Sequence, residues 1–370
     1  MSRFGKLAAI LWLATLGFAG DQSWEDWVRM AYESWTAGDR ANALELWERA
    51  YHDPENANHP ETMATVEFNR ATALLWFGRI GEAEAGFLRA LTRQESLYGQ
   101  SSPGVASTLH CLALLCVRAG RPQEAKSWSK RALEIQKALY GAQHPSVAST
   151  LNILAEVLMT EGRQREAVSA QQEAITICER TACSDWLMGV MLGNLGRMLG
   201  ASDATRGQAE EFCLRGRLIL EKTLGARHPY VALAFTNVAE LDRRNGKYGE
   251  AEAMLRNALD IQREVWPPTH PDTAKTLFDL AWVMAEQRRF SEAASFFEQA
   301  AVMREALFGP DSLYMAETLG AYAAVLRKTG HRKQAAAYSS RAQAIAERDP
   351  AFRRRIYSVD VRSWERKQSK

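Results

Sequence analysis

The chain has 370 residues, of which 24% are charged and 46% are hydrophobic, and its formal net charge at pH 7 is +2. This balance is typical of a soluble folded protein and argues against a highly charged, disordered chain. A net charge so close to zero gives no indication of a nucleic-acid partner. The length is sufficient for two ordinary domains or for one extended array.

The N-terminal segment differs in composition from the rest of the chain. Arg3 and Lys6 precede an apolar run over 7–19, and the tripeptide Gly-Phe-Ala ends at Ala19, where it fits the rule for signal peptidase cleavage. The run is shorter than the roughly 20 apolar residues of a membrane-spanning helix. We therefore expect a signal peptide over 1–19 and a periplasmic or secreted protein. A buried N-terminal helix and a short uncleaved anchor are the alternatives.

A short motif with a proline recurs at intervals of 42 residues. The sequences GAQHPSV at 141–147 and GARHPYV at 225–231 are nearly identical and lie two intervals apart. Proline at the first position of a helix lacks only an N–H that would be unpaired there, so each motif predicts a helix start. The motifs on this spacing are Ser102-Pro103, His144-Pro145, His228-Pro229 and His270-Pro271. Their recurrence predicts a tandem array of similar units.

Each unit has the pattern of two helices joined by a turn. A helical apolar pattern follows the proline, a glycine such as Gly162 ends that helix, and a second helix follows. Two columns of small residues, seven positions apart on the second helix, allow close approach of the first helix. The columns are Ala43, Ala83, Ala125, Ala167, Ala209, Ala251, Ala293 and Ala335, and Ala50, Ala90, Ala132, Ala174, Gly216, Ala258, Ala300 and Ala342.

This pattern resembles the tetratricopeptide repeat. The stretch HPSVASTLNILAEVLMTEGRQREA and the 42-residue period are similar to the kinesin-light-chain-type subfamily. The resemblance covers about 24–347 and implies an all-α, right-handed superhelical solenoid of about eight helix–turn–helix repeats, with the first helices on the concave side. The expected hairpins are roughly 24–57, 62–98, 104–140, 146–182, 187–224, 230–266, 272–308 and 314–347. The fifth lacks the proline motif and the glycine between its helices, so its loop is the least predictable.

No catalytic constellation is present in the sequence. Nucleophile elbows, zinc-protease motifs, phosphate-binding loops and glycine-rich nucleotide fingerprints are all missing. The repeated His144, His228 and His270 would lie roughly 10 Å apart in adjacent hairpins, too far to share a zinc ion that needs ligands within about 2.3 Å. We interpret them as helix caps. The expectation is a protein that is not an enzyme, without a cofactor, metal or small-molecule substrate.

Five cysteines are present, and two of them form a candidate pair. Cys116 and Cys213 fall in predicted core positions. Cys178 takes a position that matches Gln136 and Gln262, which we expect to face outward, and Cys183 lies at the end of the same helix. Export would permit a disulfide between Cys178 and Cys183, whereas helix-end geometry could keep the two side chains apart.

The candidate binding site lies on the first helices. The resemblance implies that asparagines at one position of the first helices point into the concave groove and bind the backbone of an extended peptide. An amide supplies both donors and an acceptor, so it can pair with any peptide bond. The candidates at this position are Asn69, Asn194, Asn237 and Asp279, and nearby positions on the same face add Arg118, Arg244, Lys275 and Lys328. The alternative is that these residues only solvate the face or bond between neighbouring hairpins.

The C-terminal segment 348–370 is basic and includes Arg353, Arg354 and Arg355. It is either a solvated end or a binding segment for an acidic partner. Two functions remain open. The first is an exported scaffold, expected to be a monomer, that binds a peptide or protein segment in its groove. The second is a structural component of an envelope complex that docks through its convex face or its tail.

Cleavage of the predicted signal peptide gives the first testable expectation. N-terminal sequencing of the protein purified from the cell envelope should begin at Gly20, because the small residues before it fit the signal peptidase. A chain that begins at Met1 and is recovered with the soluble cytoplasmic proteins would contradict it.

Overall fold

A computed structural model describes residues 23–181, 183–200 and 202–348. Within them the chain forms sixteen α-helices and no strand, which confirms the all-α class. None of the described helices is long and apolar enough to cross a membrane. The segments 1–19 and 349–370, with the predicted signal peptide and nearly all of the basic tail, lie outside the described residues. The helices are α1 Trp24–Ala37, α2 Arg40–His52, α3 Pro60–Trp76, α4 Ile80–Tyr98, α5 Pro103–Arg118, α6 Pro122–Tyr140, α7 Pro145–Thr160, α8 Gln164–Thr181, α9 Asp185–Leu199, α10 Arg206–Leu224, α11 Pro229–Arg244, α12 Tyr248–Val265, α13 Pro271–Glu286, α14 Phe290–Phe308, α15 Leu313–Lys328 and α16 Arg332–Ala346.

Consecutive helices pack as eight hairpins, numbered here from α1/α2 to α15/α16. The proline motifs begin the first helices as expected, because the histidine before each proline caps the helix. His144, His228 and His270 each accept the N–H of the residue two positions later through Nδ1, at 3.1–3.2 Å. The interpretation of these histidines as caps is therefore confirmed. Each hairpin also packs against the next one, so the core is continuous along the array.

The small-residue columns hold the two helices of each hairpin together. All sixteen residues of the two columns are buried. In the fifth hairpin glycines take over this role: a Cβ on Gly216 would lie 2.6 Å from the carbonyl oxygen of Gly189, and a Cβ on Gly196 would lie 2.5 Å from Sγ of Cys213. Only glycine fits such contacts. The helices of this hairpin are joined through a short 3-10 helix, Asp203–Thr205.

The expectation that Gln136, Cys178 and Gln262 face outward is wrong. Gln136 is 3% exposed and Gln262 is 2% exposed. The physical reason is that each second helix is sandwiched between the first helix of its own hairpin and that of the next. At the same position, Gln94 accepts a hydrogen bond from Thr108 of the next hairpin at 2.7 Å, so this position forms a buried joint between hairpins.

The structure joins Cys178 and Cys183 in a disulfide, with Cα atoms 4.8 Å apart. The bridge links the end of α8 to the segment that leads into α9. Cys116 and Cys213 are buried in the hydrophobic core, and burial raises the pKa of each thiol to about 12. They therefore behave as small hydrophobic residues rather than as reactive thiols.

The buried joint gives a prediction in which the same substitution has two different outcomes. Gln94→Leu should lower the free energy of unfolding by about 1–2 kcal/mol, because it removes the partner of the buried Thr108 hydroxyl. Gln262→Leu should leave it unchanged or raise it, because Oε1 of Gln262 is buried without a partner and Leu220 already occupies the equivalent position in the fifth hairpin. Urea unfolding of both variants measures the difference. Equal losses of unfolding free energy in the two variants would mean that the hydrogen bond between Gln94 and Thr108 does not stabilise the joint.

Candidate functional site

The first helices form the inner layer of the array. Besides packing within their own hairpins, the first helices α3, α5, α7, α9, α11 and α13 contact one another in sequence. Each second helix instead contacts the first helices on either side of it. In a curved array, neighbouring elements on the concave side lie closer together than those on the convex side. The first helices touch one another, so they line the concave side. We call this side the inner surface.

Hairpins that are far apart in the sequence also contact each other. The second and third hairpins contact the sixth, seventh and eighth through a set of residues that we call the seam. On one side are the ends of α3 and α5 and the turns after them, with Trp76, Gly78, Val117, Arg118 and Gly120. On the other side are Trp266, which follows the end of α12, and residues at the starts of α11, α13 and α15, namely His228, Tyr230, His270, Pro271, Asp272 and Tyr314.

Hydrogen bonds and aromatic contacts hold the seam. The Tyr314 hydroxyl donates to the carbonyl of Val117 at 3.1 Å, and Nε2 of His270 lies 3.2 Å from the carbonyl of Trp76. The Trp76 ring also meets the rings of Tyr230 and Trp266 edge-on, with centroids 6.3 and 6.5 Å apart. These contacts join residues 154 to 197 positions apart, so no pattern within one repeat indicates them.

Two glycines let the two sides of the seam approach. Gly78 and Gly120 end their helices with φ of +73° and +72°. A Cβ on Gly78 would lie 2.5 Å from Cδ of Pro271, and a Cβ on Gly120 would lie 2.9 Å from Cε2 of Tyr314. The glycines at these positions are therefore needed both for the turn and for the contact across the seam. The repeat pattern of the sequence predicts only that a glycine ends the first helix of each hairpin.

The two central asparagines of the candidate site are buried in the inner layer. Asn194 is 2% exposed and Asn237 is 5% exposed. Asn194 donates to Oδ1 of Asn152 at 3.0 Å and to Oε1 of Glu156 at 2.8 Å, both on the preceding first helix. Bonding between neighbouring hairpins, one of the alternatives, therefore accounts for its amide.

Asn237 differs from Asn194 in having no hydrogen-bond partner among the described residues. Its Nδ2 lies over Gly193, 3.2 Å from where a Cβ on that glycine would be. The amide is thus almost enclosed, unpaired, and next to Asn194 in the inner layer. An amide in such a place retains its full capacity to donate and accept.

The remaining candidate residues lie apart from this pair. Asn69 donates to the hydroxyl of Tyr32 in the first hairpin at 2.7 Å, and Lys275 pairs with Asp279 at 2.6 Å. Arg118 belongs to the seam, where Nη2 lies 3.9 Å from Oδ2 of Asp272. Arg244 pairs with Glu240 at 2.7 Å, and Lys328 is exposed. The structure therefore distributes the candidates over the whole inner layer rather than in one cluster.

Charged groups of both signs line this layer. Burial raises the pKa of the Glu156 carboxyl, against the charges of Arg197 and Arg118. Burial also acts on Glu240, but the charges and hydrogen bonds of Arg243 and Arg244 lower its pKa to about 2. The layer therefore offers paired and partly buried charges next to amides, which suits a segment of mixed polarity better than a polyanion.

Repeated helical hairpins stacked on a common inner layer define a tandem helical-repeat protein. The family model for the tetratricopeptide repeat matches residues 62–138, 104–180, 187–264 and 230–306. These matches cover more than half of the chain, and the chain belongs to the tetratricopeptide repeat family. Members of this class are scaffolds for contacts between proteins, and the chain is one of them.

Known proteins resemble the chain in sequence over part of its length and in fold over most of it. Over 111 residues it is 26% identical to the Clustered mitochondria protein homolog of Aspergillus terreus, a match that covers 30% of this chain and 9% of that protein. The chain thus spans less than a tenth of the curated relatives it matches. The crystal structure of a Rap protein complexed with Competence and Sporulation Factor is 14% identical, covers 88% of this chain and 98% of its own, and has a TM-score of 0.60. A putative kinesin light chain of Podospora anserina is 22% identical over 56% of this chain and 97% of its own, with a TM-score of 0.41.

The close approach at Gly78 gives a prediction with a matched control. Gly78→Ala should destabilise the protein more than Gly162→Ala does. Both glycines have the same positive φ, at +73° and +76°, but only Gly78 has a neighbour within 4 Å of the added Cβ. The strain of positive φ is common to both, and overpacking adds about 1–3 kcal/mol to the Gly78 variant alone. Thermal unfolding measures both, and equal losses would show that the seam is not closely packed.

Proposed function

We propose that this chain is an exported, non-enzymatic scaffold that binds an extended segment of a peptide or protein at its inner surface. The observation that carries the proposal is the amide of Asn237, which is 5% exposed and lacks a hydrogen-bond partner among the described residues. A ligand that paired with this amide would gain a hydrogen bond of about 0.5–1.5 kcal/mol net, without displacing a partner within the protein.

Asn194 lies on the preceding first helix, and Glu156, which accepts a hydrogen bond from Asn194, interacts with the charges of Arg197 and Arg118. Peptide backbones carry donors and acceptors in alternation, so amides bind them without regard to side chains. The paired charges would then select among the side chains of the bound segment. The solved Rap protein that shares this fold was determined with Competence and Sporulation Factor bound, which favours a ligand of this kind without identifying one.

The test uses random peptides displayed on phage as the probe. Peptides selected on the wild-type protein are synthesised and titrated by calorimetry against Asn237→Ala and against Asn257→Ala, which removes an exposed amide from the second helix α12. Asn237→Ala should weaken binding by about two- to tenfold, because one hydrogen bond of about 0.5–1.5 kcal/mol is lost. Asn257→Ala should bind like the wild type. Circular dichroism should be the same for all three, because the Asn237 amide has no partner in the protein to lose.

The same titration separates the alternative function. If the selected peptides bind Asn237→Ala and wild type equally, and crosslink to second helices or to the tail, the inner surface is not the binding site. The docking function through the convex face would then take its place. The second helices do expose apolar side chains for such docking, including Leu97, Tyr98, Leu139 and Tyr140.

A further inference from the structure

The seam joins hairpins that are distant in sequence through side chains and turns outside the small-residue columns, and Phe308 at the end of α14 packs against the core of the second and third hairpins. The turns of the second and third hairpins meet the helix starts of the sixth to eighth and Trp266 after α12. None of the sixteen small-residue column positions, which hold each hairpin together, belongs to the seam. The seam is therefore a place at which the array can open without unfolding.

His270 occupies the middle of the seam with both ring nitrogens in use. Nδ1 accepts the N–H of Asp272 at 3.2 Å, so the neutral ring carries its proton on Nε2 and donates it to the carbonyl of Trp76 at 3.2 Å. The ring is 0% exposed and stacks on Trp266 with centroids 3.7 Å apart. A second proton on Nδ1 would face the N–H of Asp272, and two donors would then oppose each other.

We propose that the seam is a pH-sensitive gate over the inner surface, which opens when His270 is protonated and separates the second and third hairpins from the sixth to eighth. As a control of ligand access it rests on the function proposed above. The opening itself is a property of the unliganded chain, and it is tested without a ligand.

The surroundings of His270 disfavour its protonated form in the closed array. Burial, helped by the charge of Arg118 across the seam, lowers the pKa of His270 to about 4, while Asp272 on its own helix and the carbonyl of Trp76 act in the opposite sense. In the open array the ring meets water, where its pKa is about 6.5. A lowered pKa in the closed state means that closure is favoured above about pH 6.5 and weakens as the pH falls towards about 4.

Cys111 is a natural reporter of the open state. It lies two helical turns before Arg118 on the same face of α5, so it belongs to the inner surface that the seam covers. It is a half-buried free thiol, and its surroundings raise its pKa to about 12, so it reacts slowly unless the array opens, whereas Cys116 and Cys213 are fully buried in the core. The rate at which it reacts with 4,4′-dithiodipyridine, a reagent that works in acid, therefore measures opening when divided by the rate of a free small thiol at the same pH. A Cys111→Ala variant supplies the background.

The wild-type rate should rise about tenfold or more between neutral pH and about pH 5, as the lowered pKa of a single histidine requires. His270→Asn keeps a side chain that can cap α13 but cannot be protonated, so its rate should change little with pH. His144→Asn makes the same change at a cap outside the seam and should retain the wild-type rise. Gly120→Ala, which forces Tyr314 away, should react fast already at neutral pH, whereas Gly162→Ala should not.

Three results would overturn the gate. The wild-type rate could be independent of pH, His270→Asn could show the same rise as the wild type, or Gly120→Ala could be as slow as Gly162→Ala at neutral pH. None of these depends on a peptide, so the gate can fail while peptide binding stands. Loss of the Asn237 effect in calorimetry would instead remove the ligand site and leave the gate to be judged by the reaction of Cys111.

Discussion

The short distance between the two helices of each hairpin is the constraint on which the rest of the structure depends. Alanine or glycine at two positions on every second helix allows this distance, and the same positions are buried in all eight hairpins. Because each hairpin has nearly the same shape, each packs on the next in nearly the same way. A repeated packing angle bends the array, and the bend brings its distant hairpins together at the seam.

Most of the local structure could be predicted because it is determined by short-range contacts. The helix starts follow from the proline motifs, and the hairpins follow from the small-residue columns. The outward position assigned to Gln262 was wrong because a side chain that points away from its own hairpin still points into the next one. The regularity of the repeat shows that neighbours pack, but not which second-helix face they cover.

The seam could not be predicted for a different reason. It depends on the angle between hairpins added over four or five steps, and a small change in that angle would separate Trp76 from His270. The candidate residues were correctly placed on the first helices, but their surroundings depend on this closure. Asn194 is bonded within the inner layer and Arg118 belongs to the seam, whereas the low exposure of Asn237 and its lack of a partner among the described residues become visible only in three dimensions.

Open solenoids can gain or lose units during evolution, because each unit contacts only its neighbours. The seam removes that freedom here. An inserted or deleted hairpin between the third and the sixth would bring different residues opposite Gly78 and Gly120, and the tyrosine and histidine that now meet these turns would be displaced by a whole unit. Closure thus fixes the spacing along the chain. The contacts of the seam can form only with the present number of hairpins between its two sides.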